Sequence, residues 1–235
     1  MTKVKAQTIM KTITIVGFGD SITMDCHVED EEKRWLSLLE RMLSEEYPNI
    51  NFNTINSGVG GNSDREKMTR YEYDVLAHAP DVLLIQFGGN NSGYNAPKRS
   101  VPVQETEEYL QQIKNTIPDK SQIVVITFPH VLWQKHKFYI DEPEKFIEFH
   151  KQYGGHEARL NQYRETLKSF ATKNNYPIVD PYKAMKESND VESLQVGDGV
   201  HLNAAGDQLL AELVFKALDS FFVASHNNRI ERDFG

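Results

Sequence analysis

Short apolar runs rich in β-branched residues alternate along this chain with longer segments of helical periodicity. Such runs are typical of buried strands, and here they are Ile13–Phe18, Phe52–Asn56, Val82–Phe87, Ile123–Phe128 and the weaker Ile178–Asp180. Because parallel strands need crossovers of helical length, the alternation predicts right-handed βαβ units. We therefore predict an α/β fold with a five-stranded, mainly parallel sheet and helices on both faces.

The segments between the predicted strands carry apolar stripes at helical spacing. The stripes are Trp35, Leu36, Leu39, Met42 and Leu43; Met68, Tyr71 and Val75; Leu110, Ile113 and Ile117; and Leu160, Tyr163, Leu167 and Phe170. We expect the last helix to begin at Asn203 as its N-cap and to bury Leu209, Leu210, Leu213, Val214 and Leu218. With 235 residues and no internal repeat, we expect a single domain over residues 1–235.

The charge, the apolar runs and the cysteine content limit the partners, the location and the disulfide bonds that we expect. Acidic residues outnumber basic ones by 34 to 26, so the net charge is −8, and a nucleic-acid partner, which needs a basic face, is not expected. No run approaches the length of a membrane span, and the polar segment Met1–Lys11 does not resemble a secretory signal. We expect a cytoplasmic protein with a small-molecule partner, with homo-oligomer formation left open. The lone Cys26 cannot form an intramolecular disulfide and is expected to be half-buried.

The segment 129–155 is longer than an ordinary connection from a strand to a helix. It carries the aromatic residues Trp133, Phe138, Tyr139, Phe146, Phe149 and Tyr153. Because it leaves the carboxyl end of the fourth strand, we expect it at the same edge of the sheet as Ser21. Two interpretations stay open, namely a helical excursion that packs on the body of the protein and a lid or pocket wall.

Ser21 follows the first predicted strand in the sequence Gly19-Asp20-Ser21. Its hydroxyl is therefore expected at the carboxyl end of the sheet, where open α/β folds bind ligands. A nucleophile, a helix cap and a phosphate-loop hydroxyl are all open at this point. Gly17 and Gly19 begin a dinucleotide-binding motif, but Ile22 stands where the third glycine belongs, and no phosphate-loop motif is present.

A nucleophilic serine needs a base, a group that orients the base, and donors for an oxyanion. Asp198 precedes His201 by three residues, so its carboxylate can hydrogen-bond the imidazole and select its tautomer. The turn around Gly61 can offer a backbone N–H, and the sequence Gly88-Gly89-Asn90-Asn91 can offer a side-chain amide. Taken singly, each feature also has a structural explanation as a cap or a tight turn.

Taken together, these blocks resemble the SGNH hydrolase superfamily, also called the GDSL esterase/lipase family. The matching stretches are Gly19-Asp20-Ser21, Asn56-x-Gly58-x-x-Gly61, Gly88-Gly89-Asn90-Asn91 and Asp198-x-x-His201. The resemblance runs from the first strand to the last helix and implies a flavodoxin-like three-layer α/β/α sandwich. The third block usually reads Gly-x-Asn-Asp, and Asn91 departs from it, which we expect to alter the bracing of that loop without abolishing catalysis.

The resemblance also implies a role for each site residue. Ser21 is the implied nucleophile, His201 its general base and Asp198 the group that orients the base. The backbone N–H groups of Ser21 and Gly61 and the side-chain amide of Asn90 form the implied oxyanion hole. Asp20 is expected to brace the serine loop. The implied mechanism requires no metal ion and no organic cofactor.

A serine esterase is therefore the predicted function. Short acyl esters, acetyl groups on carbohydrates in particular, suit a polar and acidic protein of this size. A lysophospholipase or thioesterase is the alternative if the aromatic-rich segment forms an acyl groove, and a catalytically silent ligand-binding protein of the same fold is a second one. The spacings of His130, His136, His150 and His156 match no metal motif, so these residues are expected at the surface or in a pocket wall.

Overall fold

The computed structural model describes residues 10–233, with side chains described up to residue 222 except at position 220. Its five strands are β1 (Lys11–Gly19), β2 (Ile50–Gly58), β3 (Val82–Gln86), β4 (Gln122–Ile126) and β5 (Ile178–Val179). They form one sheet in the order β2-β1-β3-β4-β5, and all neighbouring pairs are parallel. This is the flavodoxin-like order, and the predicted fold class is confirmed.

The helices are α1 (Ser21–Met24), α2 (Trp35–Glu46), α3 (Asp64–Asp74), α4 (Val103–Thr116), α5 (Lys137–Asp141), α6 (Pro143–Lys151), α7 (His156–Asn174), α8 (Pro181–Glu187) and α9 (Ala204–Asp233). The local sequence explains where α3 and α9 begin. Ser63 and Glu66 form a capping box that starts α3. Asn203 Oδ1 accepts hydrogen bonds from the N–H groups of Ala205 and Gly206 at 2.9 and 3.1 Å, so the predicted N-cap of the last helix is confirmed.

Two apolar cores lie on opposite faces of the sheet, because successive strand residues point to opposite sides. On β1, Ile15 packs into a core with α2 and α9, whereas its neighbour Val16 packs into a core with α3, α4 and α7. The fully buried Trp35 and Leu110 belong to the first and the second core, respectively. The site is thus carried by a sheet that is packed from both sides.

Residues 129–155 form a 3₁₀ turn at Trp133–Lys135 followed by α5 and α6. The segment is helical, as the first of the two interpretations predicted. Phe146 is buried, and Trp133 packs against it with ring centroids 5.5 Å apart. The single-domain organisation over residues 1–235 stays a prediction. Within the described part of the chain, no helix combines the length and the apolar character that crossing a membrane requires.

Candidate active site

The loop after β1 places Ser21 at the carboxyl end of the sheet. Ser21 is the first residue of α1, and its predecessor Asp20 caps that helix by accepting a hydrogen bond from the N–H of Ile22 at 3.1 Å. The adjacent strand β2 ends at Gly58, where a Cβ atom would collide with the backbone of Met24. Glycine at this position lets β2 approach the short helix that carries the serine.

The side chains of Ser21, His201 and Asp198 form a continuous hydrogen-bonded chain. His201 Nε2 lies 2.9 Å from Ser21 Oγ, and His201 Nδ1 lies 2.6 Å from Asp198 Oδ2. An ionised carboxylate can only accept hydrogen bonds, so Nδ1 carries the proton and Nε2 of the neutral ring is the acceptor. Ser21 therefore donates its hydroxyl hydrogen to His201, which is the arrangement that a general base requires.

Asp198 is held in its ionised form by the loop that precedes α9. Its Oδ1 accepts hydrogen bonds from the N–H groups of Val200 and His201 at 2.9 and 3.0 Å. Partial burial on its own would raise the pKa of Asp198, but the hydrogen bonds from His201 and from the two backbone groups outweigh it, and the pKa lies below its usual value. A carboxylate that stays charged can fix the imidazole and stabilise an imidazolium.

His27 is a site residue that the sequence analysis missed. Its ring stacks on that of His201, with centroids 3.9 Å apart and an interplanar angle of 26°. Desolvation and then the neighbouring His201 lower the pKa of His27. Among the described residues, His27, Asp198 and His201 are the group that could hold a metal ion, with ligand atoms within 4.8 Å of one another. Such an ion would compete with Ser21 for His201.

Three groups that can donate hydrogen bonds lie in the segments that follow β1, β2 and β3. Ser21 begins a helix, so its N–H has no intrahelical acceptor. Gly61 adopts a φ of +73°, a conformation that glycine accepts at little cost. Asn90 Nδ2 donates to the carbonyl oxygen of Asn62 at 3.3 Å, and an amide nitrogen carries a second hydrogen. These are the residues that the sequence analysis selected as oxyanion donors.

One cavity of about 440 Å³ contains all of these groups. Ser21, His201 and Asp198 line it together with Gly61 and Asn90. The segment 129–155 contributes Val131, Trp133, His136, Lys137 and Phe138 to the lining of the same cavity. We call it the serine cavity. The segment 129–155 is thus a helical excursion and a pocket wall at once.

Cys26 also lines the serine cavity, and its burial differs from the expectation. The sequence predicts a half-buried residue, but Cys26 is exposed. It directly follows Asp25, whose φ of 51° lets the chain turn outward after α1. The prediction was wrong because the short helix ends at Met24, two residues before Cys26.

A buried ionic cluster next to Ser21 connects two loops with the first turn of α3. Lys67 Nζ is fully buried and lies 3.2 Å from Asp20 Oδ2 and 3.1 Å from Asp64 Oδ1. Asp64 also accepts hydrogen bonds from the N–H of Gly88 at 3.0 Å and from Asn91 Nδ2 at 2.6 Å. The cluster joins the serine loop, the start of α3 and the loop that carries Asn90. Asp64 and Lys67 are three residues apart on α3, but Asp20 and Asn91 lie far from them along the chain, so no local pattern in the sequence reveals the cluster.

Asn91, which departs from the family pattern, has a defined role in this cluster. Its Nδ2 donates to Asp64, while its Oδ1 accepts the N–H of Asp64 at 2.9 Å. An aspartate could not donate to the Asp64 carboxylate unless it were protonated. The Asn91 amide therefore holds the loop after β3 against Asp64 without placing a second negative charge beside it.

The family model described as "GDSL-like Lipase/Acylhydrolase family" matches residues 18–209. The chain belongs to this family. It is a carboxylic ester hydrolase of the SGNH/GDSL type, as the sequence blocks predicted.

Curated relatives match this chain over most of its length. The protein is 27% identical over 224 residues to an acetylxylan esterase of Geobacillus stearothermophilus, covering 88% of this chain and 94% of the relative. It is 24% identical to the Bacillus subtilis protein named "Uncharacterized lipoprotein YqeF", over 84% and 86% of the two chains. Since that name includes lipoprotein, the cytoplasmic location of this protein stays a prediction.

Solved structures share the fold. A lipase/acylhydrolase from Enterococcus faecalis superposes with a TM-score of 0.68 at 23% identity, covering 87% of this chain and 94% of the other. An acetylxylan esterase structure from Geobacillus stearothermophilus superposes with a TM-score of 0.67 at 23% identity, over 88% and 95%. At this level of identity the structural likeness concerns the fold.

Proposed function

We propose that this protein is a serine esterase that removes short acyl groups, in particular acetyl groups, from carbohydrates. Ser21 is the nucleophile, His201 the general base and Asp198 the residue that orients the base. The observation that carries the proposal is the chain of hydrogen bonds from Asp198 through His201 to Ser21, at 2.6 and 2.9 Å, on the wall of a cavity. Such a chain activates an otherwise weakly nucleophilic hydroxyl.

The reaction proceeds in two halves. Ser21 Oγ attacks the ester carbonyl carbon while its proton passes to His201 Nε2, and the carbonyl oxygen becomes an oxyanion. The N–H groups of Ser21 and Gly61 and Nδ2 of Asn90 donate to that oxyanion. When the C–O bond breaks, the alcohol takes the proton from His201, and the acyl group remains on Ser21.

The second half releases the acid. His201 takes a proton from a water molecule, whose oxygen attacks the acyl carbon, and the resulting oxyanion is held by the same three donors. The bond to Ser21 breaks, Ser21 recovers its proton from His201, and the free acid leaves. Asp198 stays ionised throughout and stabilises the imidazolium in both halves.

The preference for acetylated carbohydrates has two supports. The acetylxylan esterase of Geobacillus stearothermophilus matches almost its whole length to this chain. The serine cavity also offers Trp133 and Phe138 beside polar groups such as Asn90 and His136. Aromatic faces beside hydrogen-bonding groups suit a sugar, whose ring has apolar faces and a polar edge.

Longer acyl chains are the second candidate. Phe128, Val131, Trp133, Phe138 and Leu160 give the serine cavity a largely apolar wall, and apolar walls bind acyl chains. A comparison of acetylated sugars with p-nitrophenyl esters of long-chain acids separates the two. Turnover confined to the long-chain esters would replace the carbohydrate preference with a lysophospholipase or thioesterase activity.

The decisive experiment is hydrolysis of p-nitrophenyl acetate by Ser21→Ala and His201→Ala. We expect each variant to lose nearly all activity while its circular dichroism spectrum and melting temperature stay close to those of the parent. Ser57→Ala is the matched control, because Ser57 Oγ bonds to the carbonyl oxygen of Asp74 away from the serine cavity. Full activity of Ser21→Ala would overturn the proposal.

Labelling with a fluorophosphonate probe tests the catalytically silent alternative. We expect one label per folded protein, located on Ser21 and absent from Ser21→Ala. A folded protein that takes no label would indicate a ligand-binding protein that keeps the fold without the chemistry.

A further inference from the structure

A second cavity of about 260 Å³ adjoins the serine cavity, and we call it the side cavity. The residues that line both cavities include Gly61, Asn90, Trp133 and His136. The remaining lining of the side cavity includes Tyr94, Arg99, Phe146, His150, His156 and Arg159. A substrate whose ester lies at Ser21 can therefore extend past Asn90 into this space.

Arg159 is a buried cation that forms no ion pair with any carboxylate in the part of the chain that the structure describes. The residue lies in the first turn of α7 and is 7% exposed. Its Nη1 donates to the neutral side chain of Gln162 at 3.2 Å, and its Nε has no hydrogen-bond partner among the described residues. Burial of an unpaired charge is costly, so such groups are usually paired.

Arg164 lies on the same helix, and its hydrogen bonds differ from those of Arg159 because its charge is paired within the protein. Arg164 is buried and donates to the Glu157 carboxylate at 2.6 Å and to the carbonyl oxygens of Phe128 and Pro129 at 2.9 and 2.7 Å. Arg159 forms no ion pair with a described carboxylate and is flanked instead by the rings of Tyr153 and Tyr163, at 4.1 and 5.0 Å. The aromatic rings hold the guanidinium in place and leave its charge available.

The rest of the side cavity adds no negative charge. No acidic side chain belongs to its lining among the described residues. Arg99 is already paired with Glu66 at 2.7 Å. Burial lowers the pKa of His136, His150 and His156, so these rings are neutral near pH 7. In a protein with a net charge of −8, Arg159 leaves this cavity with an uncompensated positive charge.

We propose that the side cavity binds an anionic group, a carboxylate or a phosphate, on the alcohol part of the ester substrate, with Arg159 as its partner. This inference rests on the proposed esterase function of Ser21. A guanidinium recognises both anions through charge-assisted hydrogen bonds. The preferred substrates are then acylated sugars or similar alcohols that carry one negative charge.

The test compares three acetyl esters that share one ring and differ at one position. These are an acetylated methyl glucoside, the corresponding methyl glucuronoside and the corresponding 6-phosphate. We expect kcat/KM of the native protein to be about 10- to 100-fold higher for an anionic ester than for the neutral one. The better of the two anionic esters identifies the anion as a carboxylate or a phosphate.

The variant Arg159→Gln then tests whether Arg159 binds the anion. The matched control is Arg41→Gln, which changes an exposed arginine on α2. We expect Arg159→Gln to reduce the ratio of anionic to neutral kcat/KM by about tenfold or more, mainly through KM, and Arg41→Gln to leave the ratio unchanged. An unchanged ratio in Arg159→Gln would overturn the inference, because it would make Arg159 a packing residue only.

A measurement on the native protein covers the case in which Arg159→Gln does not fold. Glucuronate or glucose 6-phosphate should inhibit hydrolysis of p-nitrophenyl acetate competitively. The inhibition constant of one of them should be at least about tenfold lower than that of glucose. Equal inhibition by the three compounds, or equal kcat/KM for the three esters, would overturn the anion site and leave the esterase intact. A native protein that cleaves none of the esters would overturn the proposed function and this inference together.

Discussion

The imidazole rings of His27 and His201 lie stacked, with their centroids 3.9 Å apart. His201 also contacts Asp198 and Ser21 through its two nitrogens, so its edge and one of its faces are both restrained. Asp198 and Ser21 restrain the ring within its plane, and His27 restrains it against tilting out of that plane. An imidazole held in this way stays aligned with the serine hydroxyl, as its proposed role as the base requires.

His27→Ala should lower kcat for p-nitrophenyl acetate by about 2- to 10-fold, the amount that corresponds to the loss of one aromatic contact. KM should change less, because the restraint acts on the base. His27→Phe keeps a ring over His201 and should restore most of the activity. His78→Ala, an exposed histidine, serves as the control. A His27→Phe variant as impaired as His27→Ala would refute the stacking role.

Asn90→Ala should reduce kcat by about 10²–10³-fold, as expected for loss of one oxyanion donor. The melting temperature should change little, since the Asn90 amide makes one long hydrogen bond of 3.3 Å to Asn62. Asn115→Ala, at an exposed position on α4, is the matched control. A kcat within a few-fold of the parent would remove Asn90 from the oxyanion hole.

Asn91→Asp should destabilise the protein although the family usually has aspartate there. The new carboxylate would face Asp64 at the position where Asn91 Nδ2 now donates at 2.6 Å. The loss of that donor beside a second buried charge should lower the free energy of unfolding by about 3 kcal/mol, measured by urea denaturation. The double variant Asp64→Asn/Asn91→Asp exchanges amide and carboxylate and should recover part of the loss. Equal stability of Asn91→Asp and the parent would contradict the proposed bracing.

Asp207 should make the stability of the protein depend on pH. It lies in the first turn of α9 and is 1% exposed. Burial, and then the neighbouring carboxylate of Asp25, raise the pKa of Asp207 to about 10. Neither of its oxygens has a hydrogen-bond partner among the described residues, so an ionised Asp207 would be a buried charge without a donor, and the protonated form is favoured.

The direction of this pH dependence follows from proton linkage. Above its ordinary pKa near 4, Asp207 binds a proton in the folded protein but not in the unfolded chain, so the free energy of unfolding falls as pH rises toward 10. Asp207→Asn cannot titrate, and its stability should fall less over this range. Urea denaturation at pH 5, 7 and 9 measures the difference. Parallel pH dependences of the two proteins would contradict the prediction.

Local patterns in the chain were sufficient to predict the fold. The β-branched runs around Ile15 and Val124 and the helical stripe around Leu39 each report on a nearby stretch of backbone. Their alternation leaves few arrangements other than a parallel sheet with helices on both faces. Asn203 was found as a cap for the same reason, because a cap and its helix are neighbours in sequence.

The candidate site residues could be selected because each follows a strand or precedes a helix in a short block of residues. Ser21 and His201 lie 180 positions apart, and only the fold brings them within 2.9 Å. The resemblance to a family supplied the pairing that no local pattern contains.

The stacking of His27, the ionic cluster of Lys67 and the unpaired charge of Arg159 came from the tertiary structure. Each depends on which side chains of distant segments meet, and whether a charge is paired depends on all of its neighbours at once. The exposure of Cys26 was mispredicted for a local reason, namely the end of α1 at Met24 and the turn at Asp25. Periodicity shows which face of an element is buried, whereas partners across elements are decided by packing in three dimensions.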